Sequence, residues 1–151
     1  MLFRSQARHN LALLLAQQGQ PADAAAELET LIASDPVPES AFALGLLYGQ
    51  MGRWQDAAKA LARCLEEDPS YPRARYNRAL ALAKAGDTTA ALDELERAAE
   101  DPASHAEAVR TLVDLSRQVH DKARLERWVV EAARIDRDAA SDPGARELLD
   151  R

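Results

Sequence analysis

Three glycines, Gly19, Gly52 and Gly86, recur at intervals of 33 and 34 residues, and three Asp-Pro pairs, Asp35-Pro36, Asp68-Pro69 and Asp101-Pro102, follow them at intervals of 33. A period of this length restricts a chain to architectures in which one supersecondary unit stacks on copies of itself. Between each glycine and its Asp-Pro lies an alanine-rich segment with leucine at helical spacing. These are Ala24, Ala25 and Leu28, then Ala57, Ala58 and Leu61, then Ala90, Ala91 and Leu95. Before each glycine comes another apolar pattern carrying one small residue in register: Ala12, Gly45 or Ala79.

Apolar residues every three to four positions specify an amphipathic helix. Glycine then permits the backbone geometry that ends that helix and lets a second one run back antiparallel. Asp-Pro stops the second helix, because proline disfavours helical geometry in the residue before it. The small residues predict close approach of paired helices. Composition agrees: alanine and leucine dominate, and aromatics make up only 5% of the chain. Straight-chain residues and alanine lose little rotamer freedom in a helix.

From Pro38 to Tyr71 this pattern resembles the tetratricopeptide repeat. Leu44-Gly45, Tyr48, Gly52, Ala57, Leu61 and Pro69 fall where that family has its leucine-glycine pair, tyrosine, turn glycine, alanine, bulky apolar residue and proline. Gly52-Arg53-Trp54-Gln55-Asp56-Ala57 is similar to the family's turn into its second helix. Ser5 to Val37 and Pro72 to His105 match less completely, with Leu15 and Leu82 in place of the tyrosine. A fourth unit places His120 at the turn glycine, with Val109, Leu112, Val113 and Val119 in its first helix and Leu125, Val129, Ala132 and Ala133 in its second. Ser141-Asp142-Pro143 reads as the start of a last helix, since proline is tolerated in a first turn.

The expected fold is therefore all-α: a right-handed α-solenoid of about four helical hairpins plus a short C-terminal helix. Repeats are expected near 5–37, 38–71, 72–105 and 106–139, and the last helix near 142–150. With no Gly/Ser linker or low-complexity tract, residues 1–151 are expected to form a single array.

Charge and cysteine content narrow the function. Nineteen basic and 25 acidic residues give a net charge of −6, which disfavours binding to a phosphate backbone, so no nucleic acid partner is expected. Cys64 is the only cysteine, so no disulfide can form within the chain, and an inert buried thiol is expected. No apolar run approaches the ~20 residues of a membrane span, so no membrane insertion is expected and cytoplasm is the default compartment. Leu2-Phe3-Arg4-Ser5 is also the translation of a widely used sequencing adapter, so the natural chain is expected to begin upstream.

No catalytic constellation stands out. There is no G-x-S-x-G, P-loop or dinucleotide-binding glycine cluster. His9, His105 and His120 belong to different units and read as solvated or turn residues, so no metal and no cofactor is expected. The acidic pairs Glu66-Glu67 and Glu94-Glu96 read as the solvated outer faces of second helices, interleaved with lysine and arginine.

The resemblance implies instead a protein or peptide partner, held where the first helices of successive units line a groove. Matched by position, that lining is His9, Leu13 and Gln17; Phe42, Leu46 and Gln50; Arg73, Tyr76, Asn77, Leu80 and Lys84; and Arg110, Asp114 and Arg117. Leu13, Leu46 and Leu80 stand in equivalent places, and Phe42 and Tyr76 one turn before two of them. An apolar strip with cations at one end suits an amphipathic peptide with acidic character. Family members that grip the free carboxylate tail of chaperones use lysines, an arginine and asparagines at fixed inner places. Here those places hold His9, Leu13, Ala43, Arg73 and Asn77, so the resemblance does not extend to that clamp. Two alternatives remain: a regulatory or substrate-presenting part of a larger enzyme or secretion component, and self-association through exposed repeat faces.

Overall fold

The computed structural model describes residues 2–141, and among these it contains eight α-helices and no strand. They are α1 (Leu2–Gln17), α2 (Pro21–Ser34), α3 (Pro38–Gln50), α4 (Trp54–Glu67), α5 (Ala74–Ala85), α6 (Thr88–Ala98), α7 (His105–Gln118) and α8 (Lys122–Ser141). The expected last helix near 142–150 lies outside the described residues. The chain divides into two compact units, Met1–Glu94 and Leu95–Arg151.

One turn joins the two helices of each hairpin, and all four such turns among the described residues close in the same way. Gln20 N–H donates to Leu15 C=O, Arg53 to Tyr48, Asp87 to Leu82 and Asp121 to Ser116, at 2.9–3.0 Å. A bond reaching back five residues needs a left-handed residue just before its donor. Gly19, Gly52 and Gly86 supply it with φ of 77°, 72° and 93°, and His120 adopts the same region at φ 58°. A side chain there meets the following carbonyl, at a cost of roughly 1–2 kcal/mol. His120→Gly is therefore expected to stabilise the second unit by about 1 kcal/mol, read as a higher urea midpoint with an unchanged slope.

The Asp-Pro pairs end helices as their chemistry requires. Asp35 and Asp68 cap α2 and α4 in extended geometry, at φ −149°, ψ 91° and φ −137°, ψ 96°. The third helix of this kind, α6, stops at Ala98, ahead of Asp101-Pro102. Ser104 fills the gap there: its hydroxyl donates to Ala98 C=O at 3.0 Å. Side-chain caps appear at Asp87, which accepts Ala90 N–H at 3.2 Å, and at Asp121, which accepts Arg124 N–H at 3.1 Å. The contact with Arg124 holds the Asp121 carboxyl below its ordinary range, the backbone N–H contributing most.

In the first unit the core runs through the alanine and leucine stripe: Ala12, Ala24, Leu28, Leu44, Leu47, Ala57, Cys64 and Ala81 belong to one buried cluster. Cys64 is fully buried, and desolvation pushes its thiol up to about 11, the property of an inert packing residue. Gly45 lies against Leu61: a Cβ built on it would stand 2.5 Å from Leu61 Cγ. The helices α3 and α4 close on each other because this position carries no side chain. Tyr48 is buried, donates its hydroxyl to Glu29 of α2 and lies under the Arg53 guanidinium, 4.3 Å from the ring centroid. Burial first, and then Glu29, push its phenol up to about 12.

In the second unit Leu95, Val109, Leu112 and Trp128 are buried. Glu96 receives Trp128 Nε1–H at 3.2 Å and lies 3.4 Å from Arg124 Nε. His105 bonds Ala99 C=O at 2.6 Å and Glu131 at 3.1 Å.

Two expectations from sequence are corrected. Glu94 is not on a solvated face: it is buried, 2.9 Å from Arg78 and 3.6 Å from Arg75. Nor are His9 and His105 simply solvated; both are half-buried and hydrogen-bonded. In each case a partner on another helix satisfies a polar group that helical periodicity alone assigns to water.

Candidate functional site

The expected lining residues fall into separate settings. Leu13 of α1 and Leu46 of α3 face one open cleft of about 180 Å³, floored by Ala12, Ala16 and Ala43, with Gln50 at its edge. The two leucines keep 41% and 39% of their surface exposed. Their neighbours Leu44 and Leu47, on the same helix as Leu46, are buried. Gln17 is exposed one turn beyond Leu13. The small floor residues make this cleft: their side chains end near the helix surface, while the leucines project past them.

His9 sits elsewhere. It bonds Ser40 Oγ at 2.9 Å and, with Ser5 and Asp35, lines a polar cleft of about 280 Å³ at the start of α3. Ser5 donates to Asp35 there at 2.6 Å. Phe42 is half-buried and packs on Tyr71 of the α4–α5 loop, ring centroids 5.0 Å apart. The sequence places the phenylalanine correctly on α3 but carries no signal that Tyr71 covers it, because the loop between them is not periodic.

Around α5 the geometry is local. Arg73 precedes the helix in left-handed conformation, φ 64°, with its guanidinium 5.7 Å from the Tyr76 ring centroid. Asn77 Nδ2 donates to Arg73 C=O at 2.9 Å. Leu80 is half-buried, and Lys84 is exposed in the last turn. Arg110, Asp114 and Arg117 belong to the second unit. There Arg110 pairs with Asp136 of α8 at 3.0 Å, and Asp114 with Arg117 at 3.5 Å, all four well exposed. Exposed pairs of this type contribute little to stability, on the order of 0–1 kcal/mol.

The sequence reading named Ala12 as a small packing residue and Ala43 as an inner position, but did not place them, or Ala16, beside Leu13 and Leu46. The signal was present: Ala16 lies three positions after Leu13, and Ala43 three before Leu46. In a helix such neighbours share a face.

The hairpins, their left-handed turns and the Gly45–Leu61 contact are the parts by which a repeat family is recognised. A family model described as tetratricopeptide repeat matches residues 9–48 and 42–107. The chain belongs to the tetratricopeptide repeat family. Among solved structures, MamA shares its fold. One crystal structure of MamA aligns with a TM-score of 0.81 at 18% identity, covering 91% of this chain and 81% of that one. MamA of MSR-1 aligns with a TM-score of 0.76 at 20% identity, covering 89% and 78%. MamA from residue 41 to its end, from Desulfovibrio magneticus RS-1, gives 0.77 at 14%, covering 91% and 78%. Comparison with curated proteins returned no match. As a tetratricopeptide repeat chain, the protein is in general terms a protein-interaction scaffold, of an all-α helical solenoid class. No described helix is long and apolar enough to cross a membrane.

Proposed function

We propose that the chain holds a peptide or helix of a partner protein, and that the partner seats an apolar side chain between Leu13 and Leu46. The single observation carrying this reading is that pair of exposed leucines, in equivalent positions of neighbouring repeats, facing one alanine-floored cleft. Leaving them in water forfeits apolar burial, and a partner side chain covering both recovers it at roughly 25 cal/mol per Å². Gln17 and Gln50 give the cleft polar margins, which favour an amphipathic occupant over a wholly apolar one. The exposed cations Arg73 and Lys84, at the two ends of α5, suit acidic residues flanking the apolar anchor. The role is binding, without chemistry: the cleft contains alanine, leucine and glutamine, none of which is a general acid, base or nucleophile.

Leu46→Glu is the test. The side chain is well exposed, so the substitution should leave helicity unchanged and shift the thermal midpoint by no more than a few degrees. A charge in the cleft should weaken capture of the partner by at least tenfold, measured by affinity capture from lysate beside the wild type and quantified by mass spectrometry. Equal recovery of all captured proteins by the two forms would overturn the reading.

A further inference from the structure

In the first unit Tyr48 of α3 reaches across to α2. Its ring is buried, its hydroxyl donates to Glu29, and the Arg53 guanidinium lies over its face. Where α5 meets α4, the same three places hold Leu82, Ala62 and Asp87, since first helices and turns repeat here after 34 residues and second helices after 33. Leucine is shorter than tyrosine, and alanine omits the carboxylate that received the phenol. An open cleft of about 360 Å³ remains there, with Ala58, Ala62, Leu82 and Ala85 as its apolar surface.

Two further exchanges give this cleft a charge. Lys59 stands where the preceding repeat has Ala26, Arg78 stands where it has Leu44, and both line the cleft. Lys59 lies one helical turn before Ala62, so the place of the Glu29 carboxylate now has an ammonium beside it. Arg78 meets Glu94 through Nη1 at 2.9 Å, while its Nε–H has no acceptor among the described residues. Asp87, the one carboxylate of the lining, already accepts Ala90 N–H at 3.2 Å.

We propose that this cleft binds a small aromatic carboxylate of the benzoate or phenylacetate class. The ring takes the place that Tyr48 fills one repeat earlier, and the carboxylate lies toward Lys59 and Arg78. The volume falls within the roughly 300–1,000 Å³ of small-molecule sites, and an apolar surface with a few polar groups is their usual lining. A cation is attracted both to the face of an aromatic ring and to a carboxylate. A neutral phenol would find no counterpart of Glu29 to receive its proton. The cleft shares no residue with the one between Leu13 and Leu46, so the inference does not rest on that reading.

NMR titration of the isotope-labelled protein with benzoate and with phenylacetate tests it. At least one of these acids should shift the methyl signals of Leu82 and Ala62 saturably. Benzyl alcohol, which lacks the charge, and hexanoate, which lacks the ring, should bind about tenfold more weakly. Leu82→Tyr restores the side chain of the preceding repeat and should abolish binding while the helical signal is kept. Lys59→Glu, at an exposed position, decides the matter should that variant fold poorly: it should retain the fold and bind about tenfold more weakly. Leu46→Glu should bind like the wild type. The proposal is overturned if neither acid gives a saturable shift, if hexanoate binds as well, or if Lys59→Glu binds undiminished. Preference for a capped Phe-Glu dipeptide over both acids also overturns it, because the cleft would then belong to a protein side chain.

Discussion

Gly45→Leu is expected to abolish folding of the second hairpin. Even the first carbon of the new side chain would lie 2.5 Å from Leu61 Cγ and 2.9 Å from Cδ2, well inside van der Waals contact. Leu61 cannot step aside, since it is itself buried in the packed α3–α4 contact. Overpacking by one or two methylenes costs about 1–3 kcal/mol. A full leucine at a helix crossing exceeds that, on the scale of the ~5–15 kcal/mol that holds a whole domain together. Gly45→Ala is the graded version and should lower stability by about 1–3 kcal/mol. Gly49 supplies the control on the same helix: its added Cβ would meet Trp54 at 3.5 Å, an ordinary contact, so Gly49→Ala should be tolerated. Urea unfolding followed by circular dichroism separates the three. If Gly45→Leu keeps the native helical signal, the close approach of α3 and α4 is not what the glycine provides.

Glu94→Ala is expected to cost about 1–3 kcal/mol, read in the same unfolding experiment. The carboxylate pairs with two guanidiniums, Arg78 at 2.9 Å and Arg75 at 3.6 Å. Its loss leaves two partly buried cations without their counter-charge. The expected cost stays below that of a fully buried pair because the arginine side chains remain 30% and 28% exposed. The repeat itself indicates the rescue. Arg78 stands where the second repeat has Leu44, and Glu94 where it has Ala60, and both of those residues are buried and apolar. Arg78→Leu combined with Glu94→Ala should recover part of the lost stability, because it removes the nearer of the two cations that the single change leaves unpaired, while Arg75 remains. A double variant as unstable as the sum of the two single changes would mean that the two residues act independently.

These two positions also mark how far the sequence could be read. Gly45 was legible because its demand repeats: Ala12 and Ala79 occupy the same register, and a small residue recurring at a fixed period implies a recurring close contact. The turn at His120 was legible in place, through the period alone. Glu94 was not legible. It follows the α6 pattern of charged residues, and only α5, folded back upon it, brings the arginines within reach. The histidines misled for the same reason, since the partner of His9 is Ser40 and that of His105 is Glu131. Within the expected groove, Leu13 and Leu46 do share a cleft, whereas His9 lines a different one and Phe42 lies against Tyr71.

By itself the sequence determined the kind of elements, the geometry of the turns and many of the residues that bury within each hairpin. These are short-range properties: helical periodicity, the left-handed preference of glycine and the restriction before proline all act within a few residues. Tertiary structure decided which polar groups are paired and which apolar ones stay in water. Leu11, Leu13, Leu44 and Leu46 are alike in sequence, yet Leu44 is buried and the other three are not. The difference lies in whether a neighbouring helix occupies the space beside each of them, and burial is a property of that space.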